Sequence, residues 1–211
     1  MSNFTKPYIG VFKQFSSYWT KYGGLKAIAF SPYAHISFII TMLSSGIWFD
    51  ATVSWYDKPI GVLPNVIGFS LGGYAIWLAL GDDKFRAAIS IPKADSASPF
   101  AVVNATFVHF ISLQIFALVW ALVASSKPIY NSPLIIQHWL LEIAPSLMEF
   151  SIILRHAGAF IGYFLFIYAI LSALAATMAI FKISGWLELY EIGKVDKAKQ
   201  KSEHPPKDTT H

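Results

Sequence analysis

The chain has 211 residues, 55% of them hydrophobic and only 13% charged, with a mean hydropathy of +0.51, whereas an average soluble domain carries about 25% charged residues. That balance excludes an ordinary water-soluble domain and places the chain among membrane proteins. The absence of cysteine excludes disulfides, thiolate metal sites and cysteine nucleophiles.

Residues 1–30 carry Lys6, Lys13, Lys21 and Lys26, with Phe4, Tyr8, Phe12, Phe15, Trp19 and Tyr22 recurring at helical spacing. No short apolar region with a small-residue cleavage site follows, so the segment does not read as a plain signal peptide. A basic, aromatic amphipathic helix lying on a membrane surface is expected, ended by Gly23-Gly24. The pair Ser-Pro then occurs at Ser31-Pro32, Ser98-Pro99 and Ser132-Pro133, each time before an apolar run. Serine is a good N-cap and proline suits the first helical position, so three helix starts are expected.

About 20 apolar residues span a bilayer core. Runs of that order cover residues 33–55, 60–80, 100–124 and 157–181, so the fold class read from the sequence is an all-α membrane protein of four transmembrane helices. Residues 134–154 are apolar in bulk, but His138, Glu142, Ser146, Glu149 and His156 fall on one helical face. Charges inside a span are costly, so this stretch reads as an outer interfacial helix. The three regions are then 1–30, a surface helix; 31–183, the four-helix transmembrane domain; and 184–211, a basic cytoplasmic tail with a disordered end.

Charge sets the orientation. With both termini on the cytoplasmic side, thirteen Lys and Arg fall inside and only Lys58, Lys127 and Arg155 outside, as the positive-inside rule requires. A fifth span would move the six tail lysines outside. Trp48, Trp55, Trp120 and Trp139 then fall near the outer boundary, and Trp19, Trp77 and Trp186 near the inner one, as an aromatic belt. The expected location is a cell (inner) membrane, multi-pass, N-in and C-in.

Gly68-Phe69-Ser70-Leu71-Gly72 matches the G-x-S-x-G nucleophile elbow in letters. That elbow needs a strand before it, a helix after it and a parallel sheet around it. The surrounding chain is long apolar runs instead, so the match reads as fortuitous and no enzyme is expected. Within a helix, Gly61, Asn65, Gly68, Gly72, Ala75 and Ala79 form one stripe of small residues, and Gly158 and Gly162 begin a second one on the last span. Such stripes let helices approach closely in lipid. Packing of these two spans on each other is the first expectation, and an oligomer interface or pore lining the alternative. Ser70 lies about 200° round from Gly68 at 100° per residue and points away from the stripe.

Polar residues at depth mark functional positions in membrane helices. His109 falls near the midplane, Asp50 and Asn65 toward the outer ends of their spans where they could pair, and His35 near the inner end of the first. These four residues form the candidate pathway. The face of His138, Glu142, Glu149 and His156 suits metal by residue type but not by spacing, so no metal is expected, nor any cofactor or nucleic acid. The expected partners are the lipid bilayer, further copies of the chain, and a cytoplasmic protein. The functional reading is an oligomeric channel or pore-type protein. A non-enzymatic membrane subunit acting as sensor, anchor or assembly factor is the alternative, and a small transporter follows.

Overall fold

The computed structural model describes residues 6–50, 52–92, 97–126 and 146–203. Among them every regular element is a helix: α1 (Lys6–Tyr22), α2 (Gly24–Ala29), α3 (Pro32–Leu43), α4 (Ser45–Trp48), α5 (Asp57–Ala79), α6 (Asp83–Ile89), α7 (Pro99–Ser125) and α8 (Ser146–Glu203). Three of them have the length and apolar composition to cross a membrane: α5, α7 and the Ile153–Lys197 stretch of α8. The start signal at Ser98-Pro99 works as expected, with Ser98 Oγ accepting the Ala101 N–H at 3.2 Å. At Ser31-Pro32 the proline sits in the first turn, but the serine hydroxyl makes no cap bond. Ser132-Pro133 lies outside the described residues.

The uninterrupted helix expected over 33–55 is replaced by a broken one. α3 ends at Leu43 after 12 residues, about 18 Å of rise against a hydrocarbon core of about 30 Å. The cause is local. Ser44, Ser45 and Gly46 are three successive residues of low helix propensity. Upstream, the Ser37 and Thr41 hydroxyls donate back to the carbonyls of Tyr33 and Ser37, at 2.6 and 2.8 Å, a pattern that bends helices. The Thr41 carbonyl at the break is taken by the Trp48 indole N–H at 2.7 Å.

The last helix is also different from expectation. From Ser146 to Glu203 it is one helix of 58 residues, so residues 146–154 are continuous with the last helix instead of forming a separate one, and residues 134–145 lie outside the described residues. The helix runs on through the basic tail to Glu203.

α5, α7 and α8 pack on one another, α3 lies on α8, and α1 lies on α7. The core has two apolar layers. At the α6 end, Trp77, Val103, Phe107, Phe110, Ala176 and Ile183 meet; at the opposite end, Trp55, Leu63, Ala117, Ala121, Tyr163 and Phe166 do. Gly162 faces this second layer, where a Cβ would overlap Trp55 and Trp120. The small-residue face of α8 therefore holds tryptophan rings and not the α5 stripe. Gly158 has open space at its Cβ position, and its carbonyl accepts the Trp120 indole N–H at 3.0 Å. The aromatic-belt expectation changes accordingly: Trp55 and Trp77 are buried core residues.

Gly162→Leu is expected to lower stability by about 1–3 kcal/mol through overpacking, while Gly158→Ala leaves it unchanged or slightly raised, as replacing glycine inside a helix does. Thermal unfolding of both variants in detergent checks this; equal melting temperatures would contradict the packing.

Candidate functional site

Between the two apolar layers lies a polar one. Gln114 of α7 donates through Nε2 to Ser70 Oγ of α5 at 2.9 Å, with the two residues 0% and 3% exposed. Ser172 of α8, also buried, donates to its own helix at the Ala169 carbonyl, 2.7 Å away. Ser70 thus sits inside the bundle, on the side away from Gly68, as helical geometry requires. The stretch from Gly68 to Gly72 runs through the middle of α5 and forms no strand, turn and helix start of the kind a nucleophile elbow needs.

His109 lies five residues before Gln114 on α7, between Phe107 and Phe110 of the first apolar layer, and is 5% exposed. Neither of its ring nitrogens, nor Gln114 Oε1, has a hydrogen-bond partner among the described residues. Its ring is enclosed by aromatics instead. Tyr22 of α1 stacks on it at 3.8 Å and 17°, while Trp19, Phe110 and Tyr168 stand 6.3–6.5 Å away. The sequence places the aromatic face of α1 on the membrane surface; the structure shows that its last turn caps His109. Periodicity had exposed the stripe ending at Tyr22, but nothing local pointed to α7 as its neighbour.

The other proposed pathway residues do not gather. Asp50 lies at the surface, where its Oδ1 accepts both the N–H and the hydroxyl of Thr52 at 2.8 Å, so it pairs with its own turn rather than with Asn65. Asn65 is on the exposed side of α5 and makes no side-chain hydrogen bond among the described residues. His35 Nε2 lies 2.8 Å from the Ala29 carbonyl, tying the end of α2 to α3. Asn104, inside α7, accepts the Trp77 indole N–H at 2.7 Å. Of the His138, Glu142, Glu149 and His156 face, the first two residues lie outside the described segments. His156 packs on Phe49, with ring centroids 4.6 Å apart. Among the described residues no three His, Asp or Glu side chains come together where they could hold a metal ion.

The α5 stripe is the main correction. Gly61, Asn65, Gly68, Gly72, Ala75 and Ala79 are all exposed, and a Cβ on Gly61, Gly68 or Gly72 would meet nothing within 4 Å. The expected packing of this stripe against Gly158 and Gly162 does not occur. Gly73, one residue on, is the position that approaches α7 and α8, through Phe107 and Ile180. The spacing identifies a face correctly, but only the large residues around it decide which way the face turns. Leu63 and Trp77 are buried on the other side and turn the glycines outward.

One further site escaped sequence reasoning. After α5 the chain turns at Gly81, whose φ of +76° suits glycine and whose Cβ position is filled by Phe85. Asp82 then caps α6, accepting the Phe85 N–H at 2.7 Å, and binds Lys194 of α8 at 2.8 Å. Lys194 also reaches Glu191, three residues before it, at 2.9 Å and lies over the Tyr190 ring. The Lys194 hydrogen bond, seconded by the Phe85 N–H, holds the Asp82 carboxyl below its ordinary range.

Compared with known proteins, the chain matches no family model, no curated protein and no solved structure.

Removing the buried pair by Gln114→Leu with Ser70→Ala is expected to reveal a coupling of about 0.6 kcal/mol, and at most about 1.7, in a double-mutant cycle of unfolding in mixed micelles; zero coupling would mean the hydrogen bond adds nothing. For Asp82, the folded-state pKa is the lowered one. Its contribution is therefore fully present above the ordinary value of 3.8 and is lost as pH falls through the lowered folded value. Hydrogen exchange at residues 83–89 is expected to accelerate over that acid range in the native chain, and already at neutral pH in Asp82→Asn. Identical exchange in the two chains would rule the clasp out.

Proposed function

We propose that the protein is an oligomeric, channel-type membrane protein, without a catalytic step of its own, whose copies meet along the outward face of α5. The carrying observation is that face itself: three glycines with open space above them and an Asn65 amide with no partner in the described chain. An amide in hydrocarbon needs a hydrogen-bonding partner, and being both donor and acceptor it can take the same amide of a second copy. Close approach over Gly61, Gly68 and Gly72 brings the two within reach. The interior of a single chain supports the multi-copy reading, because apolar layers fill it on both sides of the Ser70–Gln114 pair. A conducting path then lies between copies.

The topology that goes with this reading has both termini cytoplasmic in a cell (inner) membrane, with α3 and α4 completing a fourth, broken crossing. The lysine distribution supports it, and irregular backbone at membrane depth is tolerated where protein covers it. The chain has no cysteine, so single cysteines report without background. A cysteine in place of Lys58 is expected to label from outside and one in place of Lys197 only after permeabilisation.

A second reading, a non-enzymatic subunit docking a cytoplasmic partner, is favoured by the far end of α8. Leu189, Ile192 and Val195 are exposed there, and Ile192 lies about 200° round from Tyr190, which faces α6.

Gly68→Leu and Gly72→Leu are expected to convert the oligomer to monomer in mild detergent and to abolish ion flux in liposomes, with the monomer still folded. Normal assembly in both variants retires the α5 interface. Assembly without flux in the native chain retires the channel, and loss of a co-purifying protein in Ile192→Glu then favours the second reading.

A further inference from the structure

A cavity of about 330 Å³ lies where α1, α2 and α3 converge on α7 and α8, within the range of sites that hold small ligands, about 300–1,000 Å³. It is open to the outside, with the exposed Phe30 at its rim. Its wall has two kinds of surface. Ala27, Phe30, Phe110 and Ala175 are apolar, whereas Ser31, Tyr33, Thr106 and Ser172 carry hydroxyls. The Thr106 and Ser172 hydroxyls already donate to carbonyls of their own helices, so each turns only acceptor capacity to the cavity. An occupant that fills it gains mainly apolar contact.

Two exposed lysines, Lys21 and Lys26, adjoin the lining residues Tyr22 and Ala27 in the sequence. No acidic residue occurs before Asp50, so nothing on α1, α2 or α3 offsets them. The segment between α1 and α3 is held in place by the His35 contact to Ala29 and by backbone bonds from Phe30 and Ser31 back to Lys26 and Ile28. The opening thus has a largely apolar wall, with two exposed lysines next in sequence to residues that line it.

We propose that this cavity is a binding site for an anionic phospholipid of the adjoining leaflet, one acyl chain entering between Phe30 and Phe110 and the phosphate lying near Lys21 and Lys26. Tyr22 lines the cavity and also covers His109, so lipid occupancy adds contacts to the turn that stacks on that ring. The site does not depend on whether the protein conducts ions.

The test uses the full chain in neutral detergent, titrated with dioleoyl phosphatidylglycerol or dioleoyl phosphatidylcholine and followed by native mass spectrometry and thermal melting. One phosphatidylglycerol is expected to be retained and to raise the melting temperature, with the zwitterionic lipid retained at least about fivefold less. Lys21→Gln with Lys26→Gln, both surface changes, is expected to weaken phosphatidylglycerol retention by about fivefold or more while leaving phosphatidylcholine unchanged. Ala27→Phe, which fills the rim, is expected to reduce retention of both lipids. Equal retention of the two lipids by the native chain, or unchanged phosphatidylglycerol retention in the double lysine variant, would overturn the proposal. The lysine pair carries the test alone if Ala27→Phe fails to fold.

Discussion

Hydrocarbon offers no hydrogen bonds, so each polar group carried into it has to find its partner within protein. That constraint accounts for the all-helical backbone and also for how tryptophan is used. Three indole N–H groups act as long-reach donors: Trp48 to the Thr41 carbonyl at the α3 break, Trp77 to Asn104, and Trp120 to the Gly158 carbonyl. Each closes a gap that a shorter side chain would leave open. The Ser70–Gln114 bond does the same for a second pair of side chains that meets across α5 and α7.

Large rings need room, and small residues supply it. Ala117, Ala121 and Ala169 are fully covered, and Trp55, Tyr163 and Phe166 fill the space over them. Gly162 lies under Trp55 and Trp120. On α8 small residues therefore serve to accept aromatic side chains. On α5 they have nothing above them. The same residue type thus has opposite structural meanings on two helices of one bundle, and the difference lies in the partners, not in the spacing.

This explains what could be read in the sequence. Long apolar runs located α5 and α7 to within a few residues, because length and apolarity act locally, but the last run, 157–181, fell well short of the Ile153–Lys197 stretch of α8. The break after Leu43 was present as Ser44-Ser45-Gly46 but was outweighed by the apolar residues around it. Helical geometry correctly set Ser70 opposite the glycines, yet could not say which of the two faced inward. Among the proposed pathway residues, His109 alone is buried. Asp50, Asn65 and His35 each satisfy or present their polar groups elsewhere, since their neighbours come from turns and helix ends that periodicity does not register. The Asp82–Lys194 clasp joins residues 112 positions apart and left no local trace.

α8 has a mechanical consequence. At 58 residues and 1.5 Å each it is a rod about 87 Å long, touched along its course by α3, α4, α5 and α7. No loop interrupts it between the end that passes Phe49 and the end that Asp82 grips. The exposed Asp82–Lys194 pair, with Glu191 beside it, and the Phe85–Tyr190 contact attach α6 near the far end of that rod, so one continuous helix joins the packing of α3 and α4 to that of α6.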